Sequence, residues 1–138
     1  MQEFISETVK ISRSSEFVFT LLSDMSMLSK AVSSAQIKEI EDFQSDADSC
    51  SFRVKGVEAG IQIIDREPYK TIKYTGYKNI PFDFFVWIQL KEIAPDDTRM
   101  RIVLRAKLNF MMKTMFSGKI KNGLNQVASQ LAASLNVR

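Results

Sequence analysis

Hydrophobic residues recur at two different spacings along the chain. Residues 3–11 place Ile5, Val9 and Ile11 on one side at period two, which predicts an opening strand. The spacing then becomes helical: Ser14 is a candidate N-cap, and an apolar face continues to Asp24. A second short helix is predicted over about residues 25–32. The N-terminal part of the chain should therefore be a strand followed by two short helices.

Period-two alternation returns at about residue 36 and persists for some seventy residues. Polar or Gly- and Pro-containing tracts interrupt it and mark turns. The pattern predicts six strands, at about residues 37–43, 50–54, 57–66, 71–77, 82–93 and 100–108. Because the connections are short, these strands should be antiparallel neighbours.

From Asn109 onward the spacing is helical to the end of the sequence. The predicted apolar stripe consists of Met112, Phe116, Ile120, Leu124, Val127, Leu131 and Leu135. Gly118 and Gly123 interrupt this helix, each at a cost of about 1 kcal/mol relative to alanine. No other predicted element is long enough to cover the apolar face of a six-stranded sheet, so we expect this helix to lie across it.

The 138 residues are enough for one domain, residues 1–138, with a core that needs no disulfide or metal. The chain has no histidine and one cysteine, which excludes Ser–His or Cys–His catalysis, an internal disulfide and the usual zinc sites. We expect no metal and no cofactor, and we expect Cys50 to be a small buried hydrophobe. Glu3 and Glu7 stand where a signal peptide needs apolar residues, so a cytoplasmic location is the default expectation.

Charge is distributed unevenly. Residues 98–138 contain eight basic side chains and no acidic ones. We expect most of these cations to face water or to pair with acids that the fold brings alongside. Contact with an anionic membrane surface stays open as an alternative. Nucleic acid is not an expected partner, because the only aromatic residues in this region are Phe110 and Phe116.

Residues 9–24, with the sequence VKISRSSEFVFTLLSD, resemble the strand, turn and aromatic helix that open the START-like superfamily. This superfamily includes lipid-transfer domains, birch-pollen-allergen proteins and polyketide cyclase-like proteins (SRPBCC). The predicted order of elements extends the resemblance over the whole chain. Its members commonly have Ala-Pro where this chain has Arg13-Ser14, and an aromatic residue after the first helix, where this chain has residues 25–28. These departures bear on which subfamily the chain resembles more than on its fold.

The resemblance implies an α+β helix-grip fold, in which a curved antiparallel sheet wraps around a long C-terminal helix. It also implies an apolar ligand between sheet and helix. The chain supplies many large, soft side chains for such walls, and methionine suits variable hydrophobic ligands. The alternative is that the same residues simply fill a core. The candidate ligand-binding residues are Phe52, Val54, Ile61, Ile63, Tyr74, Phe84, Val86, Met100, Ile102, Leu104, Met112, Met115, Phe116 and Ile120, with Met111 beside them.

Tyr74 is the best candidate for chemistry, because it is in phase with Ile72 and a phenol could orient a carbonyl or hydroxyl. An ordinary core tyrosine would have the same position. The other polar residues expected to face inward are Asn109, Gln126 and, at a strand end, either Asp65 or Arg66. The leading hypothesis is a non-enzymatic carrier or sensor of a small hydrophobic molecule. The alternatives are a cyclase or dehydratase that uses Tyr74, and an interaction module that uses the basic C-terminal region. The sequence gives no prediction of oligomeric state.

Overall fold

The computed structural model describes residues 1–26, 40–54, 56–78 and 82–136. Within these ranges the chain forms eight strands and two helices. The strands are β1 (Gln2–Ile5), β2 (Val9–Ile11), β3 (Ile40–Ser45), β4 (Ser49–Val54), β5 (Val57–Glu67), β6 (Thr71–Lys78), β7 (Phe84–Ala94) and β8 (Asp97–Ala106); the helices are α1 (Ser15–Leu22) and α2 (Phe110–Asn136). The second short helix predicted over 25–32 lies outside the described residues from position 27 onward.

All eight strands belong to one antiparallel sheet with the order β1-β8-β7-β6-β5-β4-β3, and β2 also pairs with β8. The six predicted consecutive strands are confirmed as β3 to β8, with bounds shifted by up to about three residues. The short connections made this part of the order predictable, because each strand from β4 to β8 pairs with the strand before it. A curved antiparallel sheet with one long C-terminal helix is the helix-grip arrangement.

The opening strand is divided, where the sequence predicted a single strand over residues 3–11. β1 and β2 are separated by Ser6 to Thr8, and β8 has one residue fewer over the same interval, so this segment bulges. Ser6 is buried there: its N–H donates to the Ile102 carbonyl oxygen (2.8 Å), and its Oγ accepts from the Ile102 N–H (2.8 Å). The serine therefore keeps the bulged segment bonded to β8.

Helix α1 begins where the sequence predicted. The Ser14 Oγ accepts a hydrogen bond from the Phe17 N–H (3.1 Å), and Glu16 occupies the first turn, where the helix dipole favours a carboxylate. Val18, Phe19 and Leu22 are buried. The helix ends at Leu22, two residues before the predicted end.

Helix α2 lies along the β1–β2 segment, and its main contacts are with β1, β2 and β8. Three of its polar side chains form hydrogen bonds with the backbone of this region. The Asn125 Oδ1 accepts from the Glu7 N–H (2.7 Å), and the Lys121 ammonium donates to the Ile5 carbonyl oxygen. The Asn136 side chain accepts from the Ser12 N–H (2.7 Å) and donates to the Lys10 carbonyl oxygen (3.2 Å). These bonds place the C-terminal end of α2 beside β2 and its middle beside β1. Its N-terminal end follows directly from β8, at the opposite end of the sheet.

Candidate functional site

The inner face of the sheet, which faces the helices, is closely packed at one end. Its residues there are large, have 0–7% of their surface exposed, and are Ile72, Ile88, Leu90, Met100 and Ile102. They form one hydrophobic cluster with α1 and with the second half of α2. This end of the sheet is the core of the protein.

The other end of the inner face is less completely covered. Small residues alternate there with large ones along the paired strands: Ala59 is opposite Phe52, Gly76 is opposite Ile61, and Ala106 is opposite Phe84. The large members of these pairs, with Val86 and Leu104 beside them, are half-buried. Of the small residues, Ala59 and Gly76 are half-buried and Ala106 is fully buried.

Helix α2 changes environment along its length. In its second half, Ala128, Leu131, Ala132 and Leu135 are buried. In its first half, Phe110, Met111 and Met115 are 85%, 69% and 60% exposed, whereas Met112 and Ile120 are half-buried. The packed face of the helix therefore covers only part of the sheet.

The predicted apolar stripe of α2 is correct at Leu131 and Leu135 but wrong at Val127 and Phe116, both of which are exposed. The buried positions between Leu124 and Leu135 include Ala128 and Ala132. Alanine side chains allow a helix to approach a sheet closely, so the packed face centres on them. Periodicity identifies the larger hydrophobic residues, so it did not predict that the alanines would be buried.

The candidate ligand-binding residues fall into three groups. Tyr74, Met100 and Ile102 belong to the closely packed core. Met115 and Phe116 are exposed on α2, and the side chain of Val54 lies outside the described part of the structure. The half-buried group consists of Phe52, Ile61, Ile63, Phe84, Val86, Leu104, Met112 and Ile120. We take this last group as the candidate apolar site; Phe52, Ile61, Ile63 and Val86 among its members also pack against the edge of the core cluster.

Tyr74 faces inward, as its phase predicted, but it lies under α1. It is 3% exposed, and its hydroxyl donates to the Leu22 carbonyl oxygen over 3.4 Å. Burial raises the pKa of the Tyr74 phenol well above its usual value, and the positive charge of Arg66 only partly opposes this shift. The phenol is therefore neutral and bonded to the end of α1.

None of the other polar candidates belongs to the candidate apolar site. Asn109 is exposed, and its Oδ1 accepts from the Met112 N–H (2.8 Å) at the start of α2. Gln126 and Asp65 are exposed. The guanidinium group of Arg66 donates to the Ser23 carbonyl oxygen (2.8 Å) and pairs with Asp48 (2.7 Å). The register shift between Ile63 and Asp65 places Arg66, and not Asp65, opposite the inward-facing Ile72, which alternation alone does not predict.

The outer face of the sheet carries the basic residues of β8. Arg101 pairs across the strands with Gln89, and Arg105 with Phe85 on one side and Glu3 on the other. The lone tryptophan, Trp87, lies between these rows and faces a depression of about 410 Å³. Sequence reasoning placed the arginines outward but missed the depression, because it depends on three strands being adjacent.

Cys50 is 4% exposed, and burial raises the pKa of its thiol, which is consistent with the expected apolar role. Among the described residues, no group of three or more Cys, Asp or Glu side chains is arranged to hold a metal ion. Neither of the helices given above combines the length and hydrophobicity that crossing a membrane requires.

Comparison with known proteins gives structural neighbours only. No protein-family model matches the sequence, and no curated protein sequence matches it. The Aha1 dimer from Colwellia psychrerythraea has a TM-score of 0.71 at 17% identity, covering 99% of this chain and 98% of its own. Protein MLL2253 from Mesorhizobium loti has a TM-score of 0.70 at 17% identity, covering 98% of this chain and 97% of its own.

A protein from Thermobifida fusca has a TM-score of 0.70 at 13% identity, covering 98% of this chain and 93% of its own. The fold is therefore shared over the full length of these neighbours. At such identities the likeness concerns the fold, and the function has to be argued from the residues of this chain.

Proposed function

We propose that this protein is a START-like carrier or sensor that binds a small hydrophobic molecule, lipid-like or polyketide-like. The ligand would occupy the candidate apolar site between the inner face of the sheet and the first half of α2. The observation that carries this proposal is the uneven burial of the inner face. A protein with no ligand would gain stability by covering Phe52, Ile61 and Phe84 as fully as it covers Met100, because burial of apolar surface stabilises the fold.

The small residues of the site support the same proposal. Ala59 and Gly76 lie on the inner face opposite large apolar partners and are only half-buried, which supports room for a guest beside them, whereas Ala106 is fully buried. Met112 on the facing side of α2 is flexible and polarizable, which suits ligands of variable shape. A pocket lined by such residues selects by size and hydrophobicity more than by hydrogen bonding.

A carrier accounts for Tyr74 better than an enzyme does. The phenol has its donor on the Leu22 carbonyl oxygen, is almost fully buried, and belongs to the core cluster. An acid that orients a substrate must reach the substrate in the site. The cyclase-type alternative would require α1 to move away from this hydroxyl.

A matched pair of substitutions on β5 tests the proposal. Ile61 is half-buried on the inner face opposite Gly76, and Ile64 is exposed on the same strand. Ile61→Trp should fill the site and weaken binding of a dansyl-labelled fatty acid at least tenfold. Ile64→Trp should bind the probe as the unmodified protein does. Thermal unfolding of both variants checks that each is folded.

A second measurement uses methionine methyl groups as NMR reporters in the unmodified protein. Titration with the same fatty acid should shift the Met112 resonance and leave exposed Met1 unchanged. Native mass spectrometry of freshly purified protein should also show a bound hydrophobic molecule. The proposal is refuted if fatty acids, sterols and aromatic probes all fail to bind saturably, or if both tryptophan variants lose binding equally.

A further inference from the structure

We infer that the outer face of the sheet carries a second binding site, for a small organic dianion. The site is the 410 Å³ depression described above, a volume within the range of about 300–1,000 Å³ typical of ligand sites. Val103 lies at its centre and is itself buried. Trp87 and Ile5 are paired with Val103 on the two neighbouring strands, and Arg101 and Arg105 stand at the two ends.

Both arginines are oriented by a neighbour through the same nitrogen. The Arg101 Nε donates to the Gln89 Oε1 over 2.6 Å, and the Arg105 Nε donates to the Glu3 Oε2 over 2.7 Å. Within the described part of the chain, their terminal nitrogens make no further hydrogen bond as donors. A guanidinium group held through Nε offers its two terminal N–H groups to an oxyanion in a bidentate arrangement.

The charge of the depression favours an anionic ligand. Glu3 is the one acidic residue that lines it, opposed by two arginines. Lys73 is a further cation outside the lining, opposite Trp87 on β6, with its Nζ 4.8 Å from the centre of the Phe85 ring and 5.2 Å from that of Trp87. The Lys73 ammonium therefore lies over both rings, and the Arg105 guanidinium lies over Trp87 at 5.6 Å. Rings covered in this way do not offer the free faces on which nucleic-acid bases stack.

The spacing of the arginines defines the ligand further. They are four residues apart on one strand, so their Cα atoms are roughly 13 Å apart. Between them lie Val103, which is 6% exposed, and the half-buried Trp87 and Ile5. A complementary ligand has a carboxylate or phosphate group at each end and a linker long enough to span this distance. This site is separate from the inner apolar site and does not rest on the proposed function.

Trp87 provides a local reporter, since it is the only tryptophan in the chain and lies within the depression. The titration uses linear α,ω-dicarboxylates of about six to twelve carbons, whose lengths bracket the roughly 13 Å separation of the strand positions. Alkanediol bisphosphates of similar length form a second arm, which separates carboxylate from phosphate ligands. We expect saturable changes in Trp87 fluorescence, with an optimum length, that weaken as salt is raised.

Arg101→Gln and Arg105→Gln should each weaken binding of the best dianion at least tenfold. Arg53→Gln is the matched control, because Arg53 is an exposed arginine on β4, paired with Asp42 and outside the depression. The Arg53→Gln variant should bind the dianion with the affinity of the unmodified protein. Three results would each overturn the inference: no saturable fluorescence change with any dianion, equal binding of a monocarboxylate of the same length, or unchanged affinity in both test variants.

Discussion

The Tyr74→Phe substitution removes one buried hydroxyl and leaves the ring that packs in the core. At neutral pH the variant loses the hydrogen bond to the Leu22 carbonyl oxygen. Such a bond contributes about 0.5–1.5 kcal/mol, and the 3.4 Å separation favours the lower part of that range. We expect the free energy of unfolding to fall by about 1 kcal/mol or less, and the melting temperature by roughly 2–5 °C.

At high pH the order of stability should reverse. Burial raises the pKa of Tyr74 in the folded state, whereas the unfolded chain releases the proton near pH 10. The stabilisation due to the neutral phenol is therefore complete below about pH 10. Above that pH it is lost at about 1.4 kcal/mol per pH unit, because only the unfolded state ionises. Phenylalanine has no proton to lose, so the variant should become the more stable protein within about one unit above pH 10.

The assay is urea unfolding of both proteins at intervals from pH 7 to about pH 11.5, followed by circular dichroism. Other groups that titrate in this range are common to both proteins and cancel in the difference. A stability gap between the two proteins that stays constant across the series would refute the buried, neutral phenol. Spectrophotometric titration gives an independent check, since one of the three tyrosines should ionise only on unfolding.

Three further substitutions test local features by thermal or urea unfolding. Gly60→Ala would place a Cβ 2.5 Å from the Tyr77 ring, so we expect a loss of about 1–3 kcal/mol; no loss would mean that the ring does not lie over the glycine. Gly118→Ala adds a methyl group in open space on a helix and should stabilise the protein by up to about 1 kcal/mol, whereas destabilisation would contradict this environment. Ser6→Ala leaves the buried Ile102 N–H without its side-chain acceptor and should cost about 1–3 kcal/mol, with Ser6→Thr as the variant that retains a hydroxyl.

The strands were predictable because alternation and turns act locally. In β8, Met100 and Ile102 face the core while Arg101 and Arg105 face outward, as the period-two pattern indicated. The break in the opening strand was not predictable. It is stabilised by Ser6 bonding to β8 and by Asn125 of α2 bonding to Glu7, contacts between residues distant in sequence.

The candidate site was predictable only as a list of apolar residues. The pattern marked Met100 and Ile61 alike, yet Met100 is in the packed core and Ile61 is half-buried at the other end of the sheet. Which end is covered depends on where α2 docks, and its buried face includes Ala128 and Ala132 besides two leucines. Small residues give a weak hydrophobic signal, so their role becomes visible only in three dimensions.

The polar bonds between α2 and the β1–β2 segment have a consequence for self-association. An unpaired strand edge can recruit a strand from another molecule and begin aggregation. Along residues 5–12, which include the end of β1 and all of β2, Asn125, Asn136 and Lys121 bond to backbone groups that a recruited strand would need. The long helix thus shields this border of the sheet from intermolecular strand addition, in addition to covering the core.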